Sequence, residues 1–332
     1  MRKNTTIQFE NPVYVKGFFS SVGKLEGEGP LGKYFDTVCN DAMFGAKSWE
    51  EAENNLIKTT VSGALTKAGI TPDEADMMFA GDLLNQCTGS SFGLKDFGIP
   101  FFGLYGACST FVEATALASC MINSGYIRTA VAAASSHFCS SEKQYRFPLE
   151  YGGVRTPTSQ WTVTGSGALV LSDKGTGIKI TSVTPGRMVD MGVCDANNMG
   201  AAMAPAAADT IIRHFENTGT TPADYDCIVT GDLASVGTEL LLQLMNQKGY
   251  DINSNHKDTG SMIFDNEIQG TNAGGSGCGC IASVFSSYFI SKIAKKEYKK
   301  ILAVATGALM STTTAQLNKP IIGIAHGITA EI

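Results

Sequence analysis

Cys108 is the residue whose type and position in this sequence best fit covalent chemistry. It lies in Gly106-Ala107-Cys108-Ser109-Thr110, where a short apolar run ends and an alanine-rich helical pattern begins. The first N–H groups of a helix have no internal partners, and the helix dipole adds positive potential there, so both favour a thiolate. The pattern therefore predicts a nucleophilic Cys108. The alternative is a small apolar side chain buried in a packed turn.

An internal repeat places two aspartates at matching strand ends. The segments Thr71–Leu83 and Thr221–Leu233 share Thr, Pro, Asp, Gly, Asp and Leu at a constant offset of 150 residues. In both, a short buried-strand pattern ends at Gly-Asp-Leu, so Asp82 and Asp232 are equivalent. Their repetition favours a functional role, and the alternative is a turn residue that closes a strand.

The elements that must position these residues repeat as well. Each half continues with a small-residue turn, a long helical pattern and a strand pattern, and Cys108 opens the first helix as Cys278 opens the second. This order implies parallel pairing and a duplicated, layered α/β fold, with halves at residues 1–174 and 175–332. Because equivalent strand ends then face one crevice, we expect both cysteines and both aspartates to lie there.

The strand pattern from Trp161 to Ser172 contains two glycines, Gly165 and Gly167. Isolated glycines in a strand indicate a bulge or a close approach of another backbone. We therefore expect another element to pack directly against this strand.

The stretch from Ser140 to Gln160 is predicted to be a long irregular loop, rich in aromatic and basic residues. Such segments inside a compact chain are usually functional or interfacial. Arg146 and Arg155 can supply positive charge to an anionic ligand, and the aromatic residues of the loop can supply a flat apolar wall. The alternative is a loop that covers a dimer interface, where the same residue types are common.

The four histidines have different predicted surroundings. His137 and His326 follow strand patterns, and each either lines the crevice or makes structural hydrogen bonds. His214 belongs to an amphipathic helical pattern and His256 to a polar stretch, so both are predicted at the surface.

Composition excludes several classes of protein. The 332 residues are 43% hydrophobic and 17% charged, with a net charge of −6, which argues against disorder and against general affinity for nucleic acid. The nine cysteines are odd in number and irregularly spaced, and the first ten residues are polar, so we expect a reducing compartment and no signal peptide.

Two further features bear on metals and membranes. The spacing of Cys278-Gly279-Cys280 does not match a zinc site, so no metal centre is expected. No apolar run reaches about 20 residues, so no transmembrane segment is expected. The apolar helical pattern Cys278–Ala294 is broken by serines and has lysines at its end, so any membrane association is expected to be peripheral, through a partner.

The motif Gly106–Thr110 resembles the nucleophile motif of the thiolase and ketoacyl-synthase superfamily, whose fold has five αβαβα layers. The sequence also resembles, more closely, the family of stage V sporulation protein AD. That resemblance rests on segments spread over nearly the whole chain: Phe79–Gln86, Ser135–His137, Tyr151–Gly153, Thr162–Ala168, Met203–Thr210, Gly274–Cys278 and Ile324–Gly327.

The family resemblance implies a role in spore-forming bacteria. It implies a soluble component of a spore inner-membrane complex that moves dipicolinic acid into the developing spore and out at germination. The expected partners are this ligand, alone or as its calcium chelate, the other proteins of the channel complex, and a second copy of the chain in a homodimer; no cofactor and no nucleic acid are expected. The predicted ligand-binding residues are Asp82, Cys108, His137, Arg146, Arg155, Asp232, Cys278 and His326.

The resemblance also shows where condensing chemistry is missing. Condensing enzymes of the superfamily use a histidine and a second histidine or an asparagine to polarise a thioester carbonyl. The corresponding positions here read Asp232 and Cys278. We therefore expect a thiolase-like scaffold that binds a ligand without catalysis. The alternatives are an active acyltransferase with Cys108 as nucleophile, and a structural subunit whose pocket is a remnant.

Overall fold

The strands occupy about a quarter of the chain in a computed structural model that describes residues 5–145 and 154–332. Arg146 lies outside the described residues. The strands are β1 (Ile7–Gly23), β2 (Thr37–Cys39), β3 (Met77–Gly81), β4 (Phe101–Leu104), β5 (Thr129–Ser136), β6 (Trp161–Thr162), β7 (Gly165–Ser172), β8 (Lys179–Thr184), β9 (Cys227–Gly231), β10 (His256–Asp258), β11 (Gly275–Ser276), β12 (Lys300–Leu309) and β13 (Ile322–Glu331).

The helices differ widely in length, and short 3₁₀ turns join several of them to the strands. A π-helical segment, Phe285–Phe289, connects α10 to α11. The α-helices are α1 (Lys24–Gly27), α2 (Trp49–Ala68), α3 (Thr88–Leu94), α4 (Thr110–Asn123), α5 (Phe138–Tyr145), α6 (Met199–Thr218), α7 (Ala234–Gln247), α8 (Thr259–Met262), α9 (Asn266–Gln269), α10 (Cys278–Val284), α11 (Ile290–Ala294) and α12 (Thr312–Gln316).

The sheet has two halves with the same strand order. Its strands follow the order β10-β9-β12-β13-β8-β1-β7-β5-β3-β4, so β4-β3-β5-β7-β1 and β10-β9-β12-β13-β8 meet where β1 pairs with β8. In each half three strands are parallel and the other two are antiparallel to their neighbours. The duplicated α/β fold is therefore confirmed, and its pairing is mixed rather than purely parallel.

Two helices form a layer between the halves of the sheet. Helix α4 contacts β3 and β5 on one side and β12 and β13 on the other, while α10 contacts β5, β7 and β9. Because α4 is buried on nearly every face, its alanine-rich pattern fits a core position. Helices α2 and α3 cover the outer face of the first half, and α6 with α7 covers the second. The result is five layers with an apolar core on each side of each sheet half.

The shared aspartate inside the repeat is a structural clamp. Asp76 accepts hydrogen bonds from the N–H groups of Arg128 (2.7 Å) and Thr129 (2.9 Å), at the start of β5. Asp226 accepts the equivalent bonds from Lys299 (2.7 Å) and Lys300 (2.9 Å), at the start of β12. In each half, the aspartate thus ties the segment before one strand to the start of its neighbour: β3 to β5 in the first half and β9 to β12 in the second.

The predicted irregular loop at Ser140–Gln160 is wrong at its beginning, because α5 extends to Tyr145. The sequence pattern does not predict α5, because its serines have weak helix propensity. The apolar side chains that pack against it come from other elements. The close approach predicted at Gly167 is confirmed: a Cβ atom there would overlap the carbonyl group of Ala282 on α10. This contact sets the position of α10.

The prediction that His214 and His256 are surface residues is wrong, because His214 is buried and His256 is half-buried. His214 is 1% exposed and hydrogen-bonds Thr184 and Tyr225, both at 2.7 Å. His256 lies on β10 and bonds the hydroxyl of Thr230 at 2.8 Å. Burial lowers the pKa of each imidazole to about 4, so both are neutral near pH 7.

Candidate functional site

Cys108 lies at the start of the central helix α4, as the sequence predicts. Ala107 before it has a φ of +53°, a left-handed conformation that few residues other than glycine adopt. The sharp turn places Cys108 between the two halves of the sheet, where its side chain is 6% exposed. The residue is therefore held at the end of a cavity rather than at the protein surface.

The thiol of Cys108 faces a buried carboxyl group. Burial raises the pKa of Cys108 well above its usual value, and the nearby Asp232 carboxyl raises it further. Burial also raises the pKa of Asp232 well above its ordinary value. Desolvation and the neighbouring acid therefore oppose the thiolate that the helix dipole favours.

Cys278 approaches the same turn from the second half of the fold. It begins α10, and its thiol donates a hydrogen bond to the carbonyl of Ala107 at 2.9 Å. Burial, followed by the nearby Cys108, raises its pKa well above the usual value. The N–H of Gly277 bonds the Asp232 carboxyl at 2.9 Å. The structure therefore brings Cys108, Asp232 and Cys278 together.

Asp258 holds the turn that carries Asp232. Asp232 and Ala234 both have left-handed backbones, with φ of +69° and +54°. The Asp258 carboxyl accepts hydrogen bonds from the N–H groups of Leu233 at 3.1 Å and Ala234 at 2.8 Å, and from the hydroxyl of Thr230 at 2.8 Å. These bonds offset the conformational cost of the turn and aim Asp232 at Cys108. The sequence analysis did not single out Asp258.

A cavity of about 240 Å³ opens in front of Cys108. Its walls combine hydroxyl, amide and carboxyl groups with apolar side chains. The lining residues are Leu83, Ala107, Cys108, Ser141, Glu142, Tyr145, Thr162, Ala196, Asn197, Met199, Ser276, Gly277, Ala308 and Met310. Of the predicted ligand-binding residues that the structure describes, Cys108 alone lines this cavity.

Glu142 and Arg155 form an ion pair beside the cavity. The Arg155 guanidinium lies 2.8 Å from the Glu142 carboxylate. Its central carbon is 4.7 Å from the Trp161 ring centroid and 5.2 Å from that of Phe138, so it lies against this pair of stacked rings. Arg155 is thus near the site, but its charge is balanced by Glu142, a cavity residue that the sequence analysis missed.

Asp82 lies away from the cavity, although it is the sequence equivalent of Asp232. Its carboxylate accepts hydrogen bonds from the N–H of Leu84 (2.8 Å) and from the N–H (2.7 Å) and hydroxyl (2.6 Å) of Ser90. The carboxyl carbons of Glu53 and Asp82 would each lie 3.1 Å from a Cβ atom built on Gly89, so the two acidic groups are close together. Burial and nearby Asp82 raise the pKa of Glu53 to about 8. Asp82 therefore holds the loop between Leu84 and Ser90 and does not line the cavity, so the structure does not bring it together with Cys108.

His137 and His326 make structural hydrogen bonds. The Nε2 of His137 donates to the carbonyl of Ala42 at 2.8 Å, and its Nδ1 accepts from the N–H of Cys139 at 3.2 Å. The Nδ1 of His326 accepts from the N–H of Gly186 at 3.1 Å. Neither ring lines the cavity in front of Cys108, so these hydrogen bonds fit the structural alternative for both residues.

Several residues that line the cavity were not among the predicted site residues, because the sequence indicates a functional role for only some of them. Ser141, Glu142 and Tyr145 fall within the stretch that the sequence marks as functional, and they share one face of α5 at helical spacing. Asn197 and Met310 carried no local signal, because they reach the cavity from irregular segments of the second half. Within residues 5–145 and 154–332, no group of three or more His, Cys, Asp or Glu side chains could hold a metal ion.

Comparison with known proteins gives a consistent result. The profile of the stage V sporulation protein AD family matches residues 3–331. Stage V sporulation protein AD of Bacillus subtilis strain 168 is 42% identical over 323 residues, which cover 97% of this chain and 95% of that protein.

Solved structures of condensing enzymes have a similar fold. One is 3-oxoacyl-[acyl-carrier-protein] synthase III of Aquifex aeolicus VF5, with 14% identity and a TM-score of 0.60, covering 96% of this chain and 100% of that one. Another is cerulenin-bound OleA of Xanthomonas campestris, with 12% identity and a TM-score of 0.63, covering 98% of both chains. At these identities the similarity concerns the fold alone, and the expected thiolase-like fold is confirmed.

Proposed function

The chain belongs to the stage V sporulation protein AD family, and on that premise we propose that it binds dipicolinic acid, as its calcium chelate, without catalysis. The ligand occupies the cavity in front of Cys108. In this proposal the protein serves a spore inner-membrane complex that moves the ligand into the spore and releases it at germination.

The main support for a non-catalytic role is that the Cys108 thiol faces Asp232 instead of an imidazole. A condensing site needs a thiolate and a donor for the developing oxyanion. Here the neighbouring groups are an acid that disfavours the thiolate and the thiol of Cys278, which is a weak donor. All four histidines of the chain have partners elsewhere.

The cavity suits a flat ligand whose charges are already balanced. Leu83, Met199 and Met310 offer apolar contacts for an aromatic ring, while the side-chain amide of Asn197 offers a donor to a carboxylate oxygen. In the described part of the chain no lysine or arginine lines the wall, so a bare dianion lacks a direct counter-charge. A calcium chelate brings its own cation.

Glu142 supports the same choice. Calcium takes six to eight oxygen ligands, more than one dipicolinate supplies, so a wall carboxylate can complete its shell. In this proposal calcium enters with the ligand, already chelated by it.

The edge of the sheet supports the proposed homodimer. Strand β4 is an outer strand, and Phe101 and Phe102 on it are 39% and 52% exposed. An open edge with exposed aromatic residues is a surface for pairing with another chain.

No helix among the described residues is both long and apolar enough to cross a bilayer. In this proposal the chain attaches peripherally to the spore inner membrane through the other proteins of the complex.

Titration calorimetry of the full chain with dipicolinate, with and without equimolar calcium, tests this proposal. We expect saturable one-site heat with calcium, at least tenfold weaker binding without it, and weaker binding in Cys108→Ala. Cys194→Ala is the matched control, because Cys194 is exposed and does not line the cavity.

The alternative function has a distinct signature. The cavity does open onto Cys108, which is the arrangement that an acyltransferase requires. Absence of heat under both conditions, together with turnover of an acyl-CoA that Cys108→Ala abolishes, would replace the binding proposal with acyl transfer. Absence of both heat and turnover would point to a structural subunit.

A further inference from the structure

We propose that the turn between α11 and β12 is a docking surface for the anionic headgroups of a phospholipid bilayer. This lysine turn spans Lys292–Lys300 and contains five lysines in nine residues, in a chain of net charge −6. This inference rests on the proposed attachment of the chain to the spore inner membrane. It adds direct lipid contact to attachment through partner proteins.

The duplicated fold provides an internal comparison. In both halves an aspartate of the repeat binds the N–H groups at the start of the equivalent strand, which aligns Ser124–Arg128 with Lys295–Lys299. The first turn has one basic residue, and the second has three. The fold can therefore be built without these lysines.

One lysine also stands at a position that favours glycine. Lys296 has a left-handed backbone with a φ of +61°, and the aligned residue of the first half, Gly125, has a φ of +75°. A residue with a Cβ atom adopts this conformation at a cost that glycine avoids. The left-handed backbone at position 296 therefore gives no reason for a lysine. A role for the positive charge of Lys296 does give one.

The lysine turn offers unbalanced positive charge to solvent. Lys295, Lys296 and Lys299 are exposed, and within the described part of the chain their ammonium groups form no ion pair. Glu297 is paired with Lys292. The Asp226 carboxylate already accepts two backbone N–H bonds. Three cations therefore stay available to external anions.

Aromatic residues beside the lysine turn favour a bilayer over a nucleic acid. The ring centroids of Tyr34 and Tyr288 are 4.9 Å apart, and the ammonium groups of Lys33 and Lys292 lie 5.4 Å and 5.5 Å from them respectively. Tyrosines interleaved with lysines are typical of membrane interfaces, where a ring sits at headgroup level and lysines attract anionic lipid.

The orientation that results leaves the cavity accessible. The lysine turn leads into the first residue of β12, whereas Ala308, near the end of β12, lines the cavity. At about 3.3 Å per residue, the two sites are roughly 26 Å apart along the strand. A chain docked by the lysine turn therefore presents its cavity away from the lipid surface.

Vesicle co-sedimentation of the full chain tests the inference. We expect binding to vesicles of phosphatidylcholine with phosphatidylglycerol, weak binding to phosphatidylcholine alone, and loss of binding as salt is raised. The variant Lys295→Gln/Lys296→Gln/Lys299→Gln should reduce the partition coefficient on the order of 100-fold, at about fivefold for each lysine. The matched control, Lys47→Gln/Lys95→Gln/Lys248→Gln, removes three exposed lysines elsewhere and should bind as the wild type does.

Three results would overturn the inference: equal affinity for both vesicle types, equal losses in the two variants, or binding to duplex DNA without binding to vesicles. The heat of calcium dipicolinate binding is measured on the same proteins. Because the lysine turn is remote from the cavity, the lysine variant should keep that heat. Failure of docking is thereby distinguished from failure of the ligand proposal.

Discussion

Replacing Asp258 with alanine is expected to lower the free energy of unfolding by about 4 kcal/mol, because it leaves buried hydrogen-bond donors unpaired. The carboxylate accepts bonds from the N–H groups of Leu233, Ala234 and Ser261 and from the hydroxyl of Thr230. Without them the turn at Asp232 loses the contacts that keep its left-handed backbone. Equilibrium unfolding in urea measures the change.

Asp265→Ala is the matched control for this prediction. Asp265 also caps a short helix, accepting from the N–H of Ile268 at 3.1 Å, but it is exposed to solvent. Its loss is expected to cost about 1 kcal/mol. If Asp258→Ala destabilises the protein no more than Asp265→Ala, Asp258 does not hold the turn as described.

Gly167→Ala should destabilise the fold by at least about 3 kcal/mol, since the added methyl group requires a backbone movement in a packed core. A Cβ at this position on β7 would overlap the carbonyl group of Ala282 on α10. Helix α10 must then move away from the sheet, together with Ser276 and Gly277, which precede it and line the cavity. Thermal unfolding and calorimetry should therefore show lower stability and weaker ligand binding together.

Gly327→Ala provides the comparison on β13. Its Cβ would meet no atom closer than 3.5 Å, and the backbone there is not left-handed. The change is expected to stay within about 1 kcal/mol of zero. Equal unfolding temperatures for the two variants would contradict the close packing of α10 against β7.

The layout of the fold could be predicted because its signals are local and repeated. Segments Thr71–Leu83 and Thr221–Leu233 contain the strand, its preceding turn and the clamping aspartate in consecutive residues. Helix α5 could not be predicted, since its weak local propensity is overcome by packing. His214 was misplaced for a similar reason: its partner Thr184 comes from another element.

The site could be predicted only where sequence equivalence and tertiary position agree. Asp82 and Asp232 are identical in the repeat, yet Ser90 holds the first while Cys108 faces the second. The pKa of Cys108 is raised first by burial and then by Asp232, and that second contact joins two halves of the chain and has no local signature. Glu142 was missed because its importance depends on the cavity it lines.

Calorimetric titration of a cavity-filled variant with calcium dipicolinate tests the central claim most directly. Ala196 lines the cavity from a loop and is half-buried, so Ala196→Trp should fill the ligand space with little effect on the core. Ala223 is exposed in a distant turn, and Ala223→Trp is the matched control. The account predicts at least tenfold weaker binding in Ala196→Trp and unchanged binding in Ala223→Trp. Wild-type affinity in a folded Ala196→Trp variant would contradict ligand binding in front of Cys108.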